Sequence, residues 1–291
     1  EYYVANDKLT PNAVHDTGEA SSEDLMAEPQ NVIPEAYDKL KSARYPLTLP
    51  FDLWLETTRR FCAYFETPFW ELLDVFRPSE ELFVATPAPP ALADYYRAQI
   101  FSEYLGVSPD EYAIYTGASF ADWPKLYGFD KATDTPLTSL ASLTSAKTLS
   151  QRLGVSFKEV VALLQTNFVN PNLKNVETSR KNLPADDKQT DEQKLDKAEI
   201  EKRLGDATTK YKTAIPPFDA AKWLNDTWNA GKFSGVLVLH DEDGGCSFDS
   251  TLLAYADSTE LQPLALIRLN LFVRLWKRLR WAIEDIDRAL E

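Results

Sequence analysis

Apolar positions along the chain recur mostly at helical spacing. From Leu53 onward, Leu53, Leu55, Phe61, Tyr64 and Phe65 predict a helix. Leu266, Leu269, Phe272, Val273 and Trp276 predict a long helix pair over Leu264 to Glu291. Ile33 to Leu40, with Pro34 at its start and good helix formers behind it, predicts a short helix. Tyr45-Pro46-Leu47-Thr48-Leu49-Pro50-Phe51 cannot be helical, because each proline biases the residue before it toward extended geometry. Residues 1–30 are polar, acidic and without periodic apolar positions, so they read as a surface arm or a linker.

Four segments repeat one design: a helix end, a tight turn and a new helix start. They are Tyr64 to Leu72, Tyr104 to Tyr112, Arg152 to Val160 and Arg278 to Ile286. Aligned on Phe65, Leu105, Leu153 and Leu279, each carries an acid six positions later: Glu71, Glu111, Glu159 and Asp285. Gly106 and Gly154 suit a left-handed helix stop, where a side chain would clash. Ser108-x-x-Glu111 and Ser156-x-x-Glu159 match the capping box, and Pro109 stands where a first helical residue needs no donor. The first and fourth copies lack the Gly and Ser and are weaker members. The expected fold class is mainly α, an array of helical hairpins over residues 31–291.

The aligned positions lie 40, 48 and 126 residues apart. The first two intervals suit one helical hairpin; the last implies an insertion, expected to begin near Asn170-Pro171, where a helix must stop. Residues 174–212 hold 19 charged residues in 39, ten basic and nine acidic. Within them Asp191 to Leu204 reads either as an exposed helix or as a loop, and Pro216-Pro217 closes the segment. One β signal follows at about 234–256. Ser234 to His240 is aliphatic and β-branched, Asp241 to Gly245 supplies turn chemistry, and Thr251 to Tyr255 returns as partner.

Composition narrows the function. The chain has 291 residues, 44% hydrophobic and 26% charged, with 35 large aromatic rings, enough for a sizeable core. Its net charge of −14 repels phosphate backbones and acidic membranes, so no nucleic-acid partner is expected. Cys62 and Cys246 are the only cysteines, too few for a disulfide framework or a four-cysteine zinc site, and are expected to be free thiols. No run approaches the roughly 18 apolar residues of a membrane span. The chain opens on Glu1 rather than Met, which suggests a fragment of something longer.

Candidate chemistry is sparse. His15 and His240 are the only imidazoles, and neither lies in a recognisable nucleophile motif. His240-Asp241-Glu242-Asp243-Gly244 invites a metal reading, but a calcium loop begun at Asp241 would place Gly245 and Leu252 where ligands are needed. An acidic turn explains these residues with less. Glu71, Glu111, Glu159 and Asp285 could in principle pair for glycoside hydrolysis, with Trp54, Trp70, Trp123, Trp223, Trp228, Trp276 or Trp281 as sugar platforms. Acids favoured by the helix dipole and tryptophans in core or interface are the simpler account. No catalytic, cofactor-binding or metal residue is therefore assigned.

Tyr45 to Glu56, Tyr104 to Tyr112 with Ile114-Tyr115-Thr116-Gly117, Gly154 to Val160 with Phe168-Val169-Asn170-Pro171, Gly244 to Asp249, and Arg268 to Leu279 occur in an order that resembles the virulence-plasmid A-protein domain of insecticidal toxin-complex (Tc) A subunits. The resemblance implies a segment of a helical shell around a translocation channel in a homo-pentameric, pore-forming assembly. It implies secretion as part of a parent toxin, and contacts with other regions of that subunit and with neighbouring protomers. Host membrane or receptor would be met only through the full-length protein, and no cofactor or catalysis is implied. The charged segment 174–212 departs from the shorter connection of the family. Two further readings are an independent helical interaction module with an aromatic groove and a carbohydrate-active enzyme.

Overall fold

In a computed structural model of the chain, nine of ten successive residues of one helix are buried, from Ala265 to Arg274 with Arg268 alone excepted. A helix buried all round lies inside its domain, and the main core gathers on it. The structure describes residues 2–5, 8–11, 20–27, 33–78, 80–83, 96–117, 121–131, 133–173, 210–212, 235–241, 249–256 and 259–291.

In chain order, strands β1 (Tyr2–Ala5) and β2 (Lys8–Pro11) are followed by helices α1 (Ser22–Ala27), α2 (Pro34–Ser42), α3 (Leu53–Tyr64), α4 (Phe69–Val75), α5 (Arg97–Tyr104) and α6 (Pro109–Thr116). A 3-10 turn over Trp123–Tyr127 leads to α7 (Pro136–Leu143), α8 (Ala146–Leu153) and α9 (Phe157–Leu164). Strands β3 (Lys210–Lys212), β4 (Leu237–Asp241) and β5 (Thr251–Tyr255) precede α10 (Pro263–Leu279) and α11 (Ile283–Leu290). The fold is mainly helical, as the periodicity indicates.

The hairpin expected at about 234–256 is the antiparallel pair β4–β5, with Leu239 opposite Leu253. A third strand extends it: β3, at the end of the charged segment, runs parallel to β4. Arm residues 1–30 likewise contain regular structure, an antiparallel β1–β2 pair and α1. Asp191 to Leu204, Pro216-Pro217, Cys246 and the turn at 242–248 lie outside the described residues.

The main core runs from Trp123 to Ile286 and joins the 3-10 turn, α7, α8, α9, β4 and β5 to α10 and α11. Tyr127, Leu143, Leu149, Leu163, Leu164, Leu239, Leu266, Leu269 and Phe272 are wholly out of solvent. The earlier helices contribute little: Leu53 and Cys62 are the buried residues of α3, Ile100 that of α5, and α2 and α4 have none.

All four repeated segments are helix–turn–helix corners, and all four stop their first helix in the left-handed region. Gly106 (φ 73°) and Gly154 (φ 60°) do so as expected; Glu66 (φ 55°) and Arg280 (φ 57°) do so with side chains. The first copy, which lacks the expected residues, forms the same double hydrogen bond as the second and third. Thr67 N–H reaches Cys62 O at 3.1 Å and Glu66 N–H reaches Ala63 O at 3.0 Å; Val107 and Gly106, and Val155 and Gly154, repeat the pattern. At the fourth corner a single bond, Arg280 N–H to Trp276 O at 2.8 Å, closes the helix. Each acid of the repeat is the third residue of the following helix, where the N-terminal dipole favours it.

Asn170 does not simply end a helix. α9 has already stopped at Leu164, and Asn170 is fully buried. Its amide donates to Leu164 O (3.1 Å) and Leu237 O (3.0 Å), and its Oδ1 accepts Leu237 N–H (3.0 Å). With Asn172 Nδ2 donating to Gly235 O, the chain before the charged segment is fastened to the chain after it.

Candidate functional site

Four polar side chains of α10 hold other parts of the chain, two from inside the core and two from its edge. Asn270, Arg274, Lys277 and Arg278 follow at helical spacing. Asn270 is fully buried and donates to Leu126 O at 2.9 Å. Arg274, 2% exposed, gives its Nε to Asn270 Oδ1 (2.9 Å) and its remaining donors to the carbonyls of Leu47 (3.3 Å), Leu49 (2.6 Å) and Arg44. A five-donor fork can satisfy several carbonyls at once, and these carbonyls belong to the segment that prolines keep out of helix. Both Tyr45-Pro46 and Leu49-Pro50 are cis there. Burial pushes the Arg274 guanidinium below its ordinary range, with Tyr115 and Glu111 opposing the shift.

One turn later the helix grips two corners. Lys277 Nζ donates to Leu153 O at 2.7 Å and Gly154 O at 2.8 Å, closing the third corner. Burial lowers its pKa against the pull of Glu159. Arg278 Nη2 meets Glu111 Oε2 at 2.6 Å at the second corner. Glu111 also accepts Tyr115 OH at 3.1 Å, and burial, followed by that carboxylate, drives the Tyr115 hydroxyl well above its usual range. Only half of the expected capping box at Ser108 therefore forms: Ser108 Oγ accepts Glu111 N–H, while the acid is held by Arg278. At Ser156 and Glu159 the box is complete. Lys277 and Arg278 consequently bind within the chain rather than forming an open basic patch.

The other sequence candidates are dispersed. Glu71 and Asp285 are exposed, the latter 3.6 Å from Arg288. His240 stands in β4 opposite Leu252, and His15 lies outside the described residues. Trp123 is buried in the core, Trp70 stacks edge-on to Tyr104 at 5.1 Å, and Trp54 and Trp281 are exposed. Trp223 and Trp228 lie outside the described residues. Cys62 is a buried free thiol. Among the described residues no three His, Cys, Asp or Glu side chains gather as a metal site.

Two apolar surfaces remain as candidate binding features. An apolar cleft of about 320 Å³ lies between the second corner, α10 and α11, walled by Leu105, Tyr112, Tyr115, Phe168, Leu275 and Leu290. The broader feature is the aromatic exterior of α3 and its corner, where Trp54, Phe61, Tyr64 and Phe65 stand in solvent. The roles of Asn170, Asn270 and Arg274 escape a reading of the sequence, although a lone Arg on the apolar face of a helix does signal an internal partner. No protein-family model, curated protein or solved structure matches the chain.

Proposed function

We propose that this chain is a structural segment of the α-helical shell of a pore-forming, toxin-translocating subunit of the Tc A type, with no catalysis of its own. One observation carries the proposal. α10, itself one of the blocks that resemble the family, ties three of the others together: Arg274 holds Leu47 and Leu49, Arg278 holds Glu111, and Lys277 holds Gly154. Side chains so engaged fix helical corners in a wall, and recognition of an outside molecule would need them free. In this reading the parent is secreted, and the segment meets other regions of its subunit and neighbouring protomers. Among the described residues no helix is long and apolar enough to cross a membrane; in this reading channel formation belongs to another part of the parent.

The test is the full reading frame around the chain, followed by electron microscopy of its product. A ring-shaped oligomer carrying this segment, marked by an epitope tag, in its outer wall is expected. A product without any channel-forming region that stays monomeric overturns the proposal. The exposed rings of α3 favour a second reading, an independent interaction module, which that second result would promote.

A further inference from the structure

α3 and its corner carry an aromatic stripe that the described residues leave open. Trp54, Thr58, Phe61 and Phe65 follow at steps of four, three and four residues, the spacing of one helix face and of the seam in a coiled coil. In a helix that packs on its own chain, these positions leave solvent. Here Trp54 is 72% exposed, Phe61 64% and Phe65 59%, with Tyr64 beside them at 81%. Three of the rings are already organised: Phe61 and Tyr64 both meet Phe65 edge-on, at 5.0 and 5.1 Å. A twelve-residue helix is marginal in water without a packed face.

We propose that α3 is the contact through which two copies of this chain associate. Area and charge both favour a second copy. At roughly 200 Å² for each fully exposed ring, the four rings offer about 550 Å² per copy, or about 1,100 Å² between two copies. That exceeds adventitious contacts and falls at the small end of specific interfaces, where association is weak. A chain of net charge −14 repels its copy unless the facing surface is locally balanced. Along the stripe it is: Thr57 and Thr58 are neutral, Glu56 is held at 2.6 Å by Arg59, which also binds the mostly buried Glu103 of α5, and the margin offers one cation, Arg60, and one anion, Glu66, neither in an ion pair among the described residues. A two-fold axis presents each copy's cation and anion to the other, as an interface built from one patch requires. This contact does not depend on the shell proposal.

Sedimentation equilibrium of the 291-residue chain between about 1 and 300 μM tests it. The expected mass rises from one copy to two, with a dissociation constant in the micromolar range. Phe61→Ser with Tyr64→Ser is expected to weaken association at least about tenfold with an unchanged circular dichroism spectrum, since both side chains are exposed. Leu137→Ser, which alters an exposed residue of α7, is expected to leave it unchanged. A chain that stays monomeric throughout, or association that the α3 variant does not weaken, overturns the proposal. A ring-shaped parent could still exist in that case, so the two readings fail separately.

Discussion

Arg278 and Glu111 join their side chains at 2.6 Å across 167 residues of sequence, and Glu111 is only 2% exposed. The pair couples the last corner of the repeat to the second. Removing the cation leaves a buried carboxylate whose remaining side-chain hydrogen bond among the described residues comes from the Tyr115 hydroxyl. Arg278→Ala is therefore expected to cost about 3 kcal/mol in urea unfolding. Adding Glu111→Gln should recover part of that loss, because the stranded charge is gone. A single-variant cost below about 1 kcal/mol would show that solvent at the half-open arginine replaces the partner.

Arg274 organises the Tyr45–Phe51 segment through carbonyls alone. Arg274→Lys keeps the charge but not the planar fork, so at least one of those carbonyls loses its donor. A loss of about 2–4 kcal/mol is expected. Hydrogen exchange should locate it: Leu49 N–H, bonded to Pro46 O at 2.9 Å, is expected to exchange faster than the amides of α9.

Left-handed corners predict opposite effects of opposite substitutions. Glu66→Gly and Arg280→Gly relieve backbone strain and are each expected to stabilise by about 0.5–1 kcal/mol. Gly154→Ala does the reverse, since φ is 60° and a new Cβ would stand 3.0 Å from Lys277 Nζ. Thermal unfolding of the three variants checks the signs.

Asp52 sets an acid limit on α3. Its Oδ1 accepts the N–H groups of Trp54 and Leu55 at 3.0 and 3.1 Å, and its Oδ2 lies 2.7 Å from Lys41. Partial burial opposes the charge, yet Lys41 and the two amides outweigh it and hold the carboxyl below its ordinary value. A lowered folded value means that the stabilisation is complete above the unfolded value, about 3.9, and drains as pH falls through the folded one. Asp52→Ala is expected to cost about 1 kcal/mol at pH 7. The gap from the unaltered chain should stay constant down to about pH 5 and close below pH 4 in urea titrations.

The Asn170–Leu237 contact fastens the chain before the charged segment to β4. Asn170→Ala, which leaves both backbone groups of Leu237 without this partner, should cost about 2–4 kcal/mol in urea unfolding. A cost below about 1 kcal/mol would refute the assignment.

What the sequence discloses is local. The helix stops at Gly106 and Gly154, the cap at Ser156 and the acids at the third position of four helices follow from residues a few positions apart. So does the hairpin of β4 and β5. Long-range partners were hidden, because nothing near Arg274 or Asn170 in sequence names the carbonyls they meet. Glu66 and Arg280 were hidden for another reason: their residue types do not ordinarily occupy left-handed backbone, and tertiary packing overrode the preference. β3 lies in a charged run with no strand signature. The α3 stripe was legible as a helix, but periodicity reports which residues share a face and is silent on whether that face meets the core or another molecule.

The place of α10 after α7, α8 and α9 in the sequence has a consequence for synthesis. Those three helices share a core with α10, so they leave the ribosome with their central support still unmade. Nascent chains arrested before Pro263 should be digested by a protease that spares the completed protein.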